Sequence, residues 1–163
     1  NGAVTFLVMF FAVDAWMYLN HVAMHRVPFF IKWHRHHHRS VTTGVQTAIS
    51  FSWAEKLFCY TLGWLTIMAA LSWAMPVSMI GICAFYVFYF FASAYGHSNV
   101  DVSPDELPGP FSFTSSATAH ALHHRRPDRN FAFLTTFYDR LFGTSARRED
   151  YERAHWRQGA RAE

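Results

Sequence analysis

The sequence has little charge and places none of it in its middle. Charged residues make up 15% of the 163 positions, against roughly 25% in an ordinary globular domain. Residues 57–96 contain no Asp, Glu, Lys or Arg. Cysteine is nearly missing: Cys59 and Cys83 stand alone, without CxxC spacing, which excludes a disulfide scaffold, a thiolate zinc site, an iron–sulfur cluster and covalently attached haem. Both read as small buried apolar residues. No GxGxxG nucleotide fingerprint and no HEXXH helix occurs. The soluble di-iron recipe of paired Glu-x-x-His motifs fails as well, since its one match is Glu152 to His155 in the charged tail. No repeat and no Gly/Ser linker divides the chain. A disordered tail and a typical cytosolic enzyme are excluded by composition.

What fills the chain instead is apolar surface, 52% of residues, with 18% aromatic and 17 phenylalanines. As helix, the charge-free stretch would reach about 60 Å, close to two crossings of a hydrocarbon core about 30 Å thick. Pro76 and its neighbours break it into spans at 56–75 and 77–95. Residues 2–20 form a third span; they lack the basic start and small-residue cleavage site of a signal peptide. The chain begins at Asn1 without Met, so it reads as a fragment, and the reading leaves open whether one or more earlier spans precede it. Residues 103–110 (SPDELPGP) read as a loop, and 145–163 as a solvated, charged tail.

If the first span ends near His21, residues 21–55 and 97–163 lie on one side of the membrane, and all 14 Lys and Arg lie there, counting Lys56 at the edge of the second span. The positive-inside rule makes that face cytoplasmic. The 11 histidines land on the same face. His21 and His25 are spaced i, i+4, and with Asp14 and Tyr18 they fall within an arc of about 60° on a helix. A carboxylate in a span is costly, so Asp14 either accepts a hydrogen bond from a ligand histidine, pairs with an Arg, or lies in a wet crevice. His34, His37 and His38 form HxxHH, and His120, His123 and His124 repeat it. His97 adds a ninth candidate. His36 points elsewhere, and His155 reads as exposed. Nine imidazoles suit two metal ions better than one, but imidazole alone does not choose among zinc, copper, iron and nickel.

The order HxxxH, HxxHH, H-x-N and HxxHH across three spans resembles the fatty acid hydroxylase and sterol desaturase superfamily of integral-membrane di-iron oxygenases. The likeness extends to Asp14, Trp16 and Tyr18, to Thr47-Ala48, to His97-Ser98-Asn99, and to NFAFLTTFYDRLFGT at residues 130–144. It departs at Ser52 and Trp53, where many members carry a further histidine, at Tyr138, where tryptophan is frequent, and at Arg125, where serine is common.

The resemblance implies an all-α integral-membrane fold with three transmembrane helices and a cytoplasmic helical cap carrying the histidine boxes, as one domain over residues 1–163. It implies His21, His25, His34, His37, His38, His97, His120, His123 and His124 as ligands of two iron ions, with zinc as a substitute. Asp14, Tyr18, Asn99, Asn130 and Asp139 would support them, Asp139 alternatively forming a salt bridge or a helix cap.

The implied reaction is O2-dependent oxidation of a lipid C–H bond. Hydroxylation of an acyl chain, sterol or related lipid is the main expectation; desaturation or carotenoid hydroxylation is the alternative. A membrane metal-binding or metal-transport protein is the non-enzyme rival. Electrons would come from a separate ferredoxin or small haem protein with its reductase, since the chain has no redox-cofactor motif. Arg125, Arg126, Arg129, Arg147 and Arg148 would dock that donor or contact anionic headgroups. Nucleic acid is not an expected partner. Phe10, Phe11, Phe88, Phe90 and Phe91 would wall a lipid site or face lipid. The expected location is the bacterial inner membrane or the endoplasmic reticulum.

Overall fold

The computed structural model describes residues 1–98, 100, 113–151 and 153. The 103–110 loop, Asn99, Glu152, His155 and most of the charged tail lie outside these. The described residues are helical, with one isolated β-bridge between Thr114 and Thr135 and no strand.

Three helices are long and apolar enough to cross a membrane: α1 (Gly2–Arg26), the continuous helix Trp53–Ala74, and α5 (Met79–Gly96). Their 25, 22 and 18 residues correspond to about 37, 33 and 27 Å. The first is longer than expected, because His21, His25 and Arg26 continue the helix past the apolar run. Large apolar side chains point outward, with Trp73 92% and Ile80 79% exposed. In water that surface would be unstable; against acyl chains it is the expected lipid-facing side. The chain is a membrane protein.

The buried face of α1 is one stripe, Thr5, Met9, Val13, Met17, His21 and Met24, recurring every three or four residues. Met9, Val13 and Met17 meet Phe85 of α5 and Leu134 in the main apolar core. At the far end the helices nearly touch: a Cβ at Gly81 would lie 2.4 Å from the Gly2 carbonyl oxygen, and the Ser78 N–H donates to Thr5 Oγ1 at 3.0 Å.

The second span starts with a short α turn, α3 (Trp53–Glu55), runs through a π-helical stretch, Lys56–Leu62, and continues as α4 (Gly63–Ala74). A π-helical turn disturbs the regular ladder, and in a bilayer any freed carbonyl must be satisfied from within the protein. Trp16 of α1 does this, its indole N–H donating to the Cys59 carbonyl at 3.0 Å. Gly63 makes room for the ring: a Cβ there would sit 2.5 Å from the indole. Gly63→Ala, favourable by helix propensity alone, should therefore destabilise the protein by about 2–4 kcal/mol through overpacking and the orphaned carbonyl. Thermal unfolding in detergent would check this, and a melting temperature equal to or above wild type would contradict it.

The remaining elements cap one end of the bundle. They are α2 (Pro28–His34), two 3-10 turns (His37–Arg39 and Val45–Ile49), α6 (Ala117–Arg125) and α7 (Phe137–Leu141). Asn130, in the left-handed region at φ 55°, turns the chain after α6. Asn tolerates that conformation through local hydrogen bonding.

Candidate metal centre

The cap brings the expected histidines into two adjoining groups, His21, His25, His34, His38 and His123 in one and His37, His97, His120 and His124 in the other, with the candidate ligand atoms of each group within 4.8 Å of one another. Both HxxHH boxes are split between the groups. In the second box α2 ends at His34 and a 3-10 turn redirects His37. In the third, α6 continues through all three histidines, so His120 and His124 share a face at i, i+4 while His123 points to the other group. His38 and His124 stack across the boundary, ring centroids 4.5 Å apart. His36 is exposed and belongs to neither group.

Six of the nine rings are held by their Nδ1 edges. His21 donates to the Phe131 carbonyl at 2.7 Å, His37 to Ser50 at 3.2 Å, His97 to Ser93 at 2.8 Å, His123 to Arg129 at 2.6 Å and His124 to Ser40 at 3.0 Å. A carbonyl only accepts, so Nδ1 carries the proton and Nε2 keeps its lone pair. His34 Nδ1 lies 2.7 Å from Glu55 Oε1, a hydrogen bond in which the imidazole donates when the carboxyl is ionised.

The Nε2 atoms converge. His37 and His97 face each other at 3.4 Å, two lone pairs with no proton to share. Other Nε2 pairs are His97 and His120 at 2.9 Å, His120 and His124 at 3.2 Å, His34 and His38 at 3.1 Å, and His123 with His25 and His38 at 3.1 and 3.2 Å. Nitrogens about 2.1 Å from a shared ion are roughly 3.0–3.4 Å apart at neighbouring positions and about 4.2 Å apart at opposite ones. The separations are compatible with one ion in each group.

Protonation is disfavoured throughout. Burial first, then the neighbouring histidines, hold His34, His37, His120 and His123 well below the ordinary imidazole range. Burial pulls His38 and His97 down to about 4. All six are neutral at neutral pH, the state a metal ligand requires.

An apolar cavity of about 650 Å³ opens onto both groups. His21 and His34 of one and His37, His97 and His120 of the other line its inner end; Met17, Met24, Phe51 and Phe90 form much of its wall. Of the five phenylalanines considered from the sequence only Phe90 lines it. Phe11 and Phe91 are more than half exposed, and Phe10 packs on the main core.

The comparisons bear on the same residues. The pattern of the fatty acid hydroxylase family matches residues 6–144, a stretch that contains all nine histidines. The chain belongs to the fatty acid hydroxylase family. Curated relatives include a rice very-long-chain aldehyde decarbonylase, GL1-4 (Oryza sativa subsp. indica), 26% identical over 92% of this chain and 25% of that protein. Two Arabidopsis thaliana proteins also match: Protein CER1-like 1, 29% identical over 87% of this chain and 23% of its own length, and very-long-chain aldehyde decarbonylase CER1, 26% identical over 81% and 22%. The chain thus spans about a quarter of the length of the curated relatives it matches. No solved structure matches it at a significant level.

The expected supporting residues that the structure describes act as scaffold, and none bonds a histidine of either group directly. Asp14 reaches no histidine: its oxygens accept from the Leu134 and Thr135 amides at 3.2 Å each and from Thr135 Oγ1 at 2.5 Å. Tyr18 bonds Thr144 Oγ1 at 3.0 Å and stacks on Tyr138 and Phe142. Asp139 is neither a salt bridge nor a helix cap; it accepts from the Phe131 and Ala132 amides and from Thr144 Oγ1. Asn130 donates to the Ala119 carbonyl and the Tyr151 hydroxyl and accepts from the Ala146 amide. These residues fix the backbone of 129–135, and that backbone offers the carbonyls that hold His21 and His123. The arginines after the last box are partly compensated, since Arg126 pairs with Asp150 and Asp128, and Arg129 with Asp128. Glu55 was not singled out by sequence. Its signal was weak: one acid beside Lys56 at the edge of an apolar run.

Proposed function

We propose that the chain oxidises a C–H bond of a membrane lipid with O2, yielding the hydroxylated lipid, at two iron ions held by the nine histidines. The observation that carries this reading is the apolar cavity that ends on both histidine groups. His21, His25, His34, His38 and His123 would hold one ion and His37, His97, His120 and His124 the other. When bound, such an iron pair supplies O2 activation and removal of hydrogen from an unactivated carbon.

The chain's own residues do the rest. Met17, Met24, Phe51 and Phe90 hold an apolar chain against the histidine groups and exclude water. Phe131 and Arg129 carbonyls aim His21 and His123. Zinc would occupy the same imidazoles in a purified sample.

Electrons would come from a ferredoxin or a small haem protein with its reductase. Arg26, Lys32, Arg35 and Arg39 are exposed on the segment that carries the second box, and residues 15–54 contain no acid, so an acidic donor would dock there by charge. The histidine-bearing end would face the cytoplasm, in a bacterial inner membrane or the endoplasmic reticulum.

Similarity to the rice and Arabidopsis decarbonylases supports a second reading, removal of the carbonyl carbon of a long-chain aldehyde. Purified protein loaded with ferrous iron, supplied with reductant, O2, bilayer lipids and a long-chain aldehyde, decides among them by product. An alcohol of unchanged chain length supports hydroxylation, an alkene desaturation, and a hydrocarbon one carbon shorter decarbonylation. Metal flux in vesicles without lipid oxidation would sink all three.

A further inference from the structure

Glu55 stands apart from every other group that touches the histidines. Among the described residues it is the one carboxyl group bonded to a member of either group, its Oε1 lying 2.7 Å from His34 Nδ1. It is fully buried, at 0% exposure. Its Oε2 is buried without a hydrogen-bond partner, and His34 is its sole ion-pair partner among those residues.

A buried carboxylate without a nearby cation is costly, and a neutral imidazole does not supply one. A metal ion on the far nitrogen of His34 would, completing the carboxylate–histidine–metal arrangement in which the acid fixes the ring's tautomer and raises its donor strength. The backing is one-sided. In the four-histidine group His37, His97 and His124 rest on neutral carbonyls, whereas the five-histidine group has neutral carbonyls behind His21 and His123 and a carboxylate behind His34.

We propose that Glu55 is a positioning residue that makes the two metal sites unequal, strengthening the hold of the five-histidine group on its ion through the 2.7 Å contact with His34. This rests on the reading that the two groups bind metal. Local structure keeps Glu55 in place: the Ser52 hydroxyl accepts its N–H at 3.2 Å, and the π-helical stretch begins at the next residue.

The experiment compares wild type, Glu55→Gln and Glu55→Ala, each loaded with ⁵⁷Fe, by iron content, Mössbauer spectra and release of iron to a ferrous chelator. Glu55→Gln keeps size and an acceptor oxygen, so it holds His34 while removing the charge. Wild type should carry two ions and release them in two phases, the phase belonging to the five-histidine group being the one that His25→Ala abolishes. In Glu55→Gln that phase should accelerate about 10- to 100-fold, the other should keep its rate, and one of two quadrupole doublets should move. Glu55→Ala should hold about one ion.

Wild-type release and spectra in Glu55→Gln would overturn the proposal, as would equal acceleration of both phases, which marks a general loss of structure. Wild-type protein that binds no metal would overturn the metal-centre reading itself, a result separable from the others because it needs no variant.

Discussion

His123→Ala should leave the protein inserted and folded but unable to hold its full metal complement or oxidise lipid. His123 has 0% exposure, and its Nε2 lies 3.1 Å from that of His25 and 3.2 Å from that of His38, at the heart of the five-histidine group. Loss of a supporting group behind a ligand costs roughly 10- to 100-fold in metal affinity or activity. Loss of the ligand itself should exceed that, taking oxidation below detection and iron from two ions per chain to one or none. The metal-free fold should change little. The substitution orphans the Arg129 carbonyl, at a cost of about 1–3 kcal/mol, but also removes one of the lone pairs crowded at 3.1–3.2 Å, which offsets part of it. α6 lies outside the spans, so insertion is untouched. Iron content, product analysis and thermal unfolding with and without metal would check this: wild type should gain stability on metal addition by linkage, and the variant should gain little. A variant retaining two ions and activity would remove His123 from the site.

The spans and the histidine boxes were legible in the sequence because each depends on local pattern. A charge-free run broken at Pro76 can hardly be anything but two membrane helices, and HxxHH puts its first and last members on one helical face wherever the backbone stays helical. The same locality explains what was missed. α1 runs on to Arg26 because its polar last turn faces the site and the cap, where hydropathy registers only the end of an apolar segment. The split of the second box follows from the end of α2 at His34, a backbone event that spacing does not encode. In the third box the i, i+4 relation of His120 and His124 did hold the answer, since it leaves His123 facing another way.

Asp14 shows the limit most clearly. It is buried on α1 with Tyr18 and His21, and sequence spacing leaves a ligand histidine, an Arg or a wet crevice as its surroundings. The actual partners, Leu134 and Thr135, are 120 and 121 residues away. They are backbone and hydroxyl donors, which no residue-type pattern reveals. Glu55 and His34, 21 residues apart, are hidden for the same reason. The converging side of each ring is set by residue type, but the outer side is set by whichever carbonyl or carboxyl group the tertiary fold delivers.

That division gives Asp139 an effect out of proportion to its distance from any metal. Its Oδ1 accepts from the Phe131 amide at 2.9 Å and Thr144 Oγ1 at 2.6 Å, and its Oδ2 from the Ala132 amide at 2.8 Å. The side chain is 4% exposed, so no water replaces it. Burial pushes its carboxyl above the usual carboxylate range, against the opposing pull of the three donors. The ionised form is nonetheless the one that accepts from all three. Asp139→Ala would leave the two buried amides of Phe131 and Ala132 unsatisfied and Thr144 Oγ1 with only the Tyr18 hydroxyl, at about 1–3 kcal/mol for each orphaned donor before relaxation, giving an expected destabilisation of about 3–5 kcal/mol. The consequence for the site is specific. The Phe131 amide that Asp139 holds belongs to the residue whose carbonyl orients His21 at 2.7 Å, so releasing it turns the His21 ring and loosens the five-histidine group first. Asp139→Asn should be nearly as harmful, since its amide nitrogen would face an N–H where an acceptor is required. Thermal unfolding and iron content measured together test this: loss of stability with both ions retained at wild-type affinity would show that the 130–136 backbone does not govern the histidines.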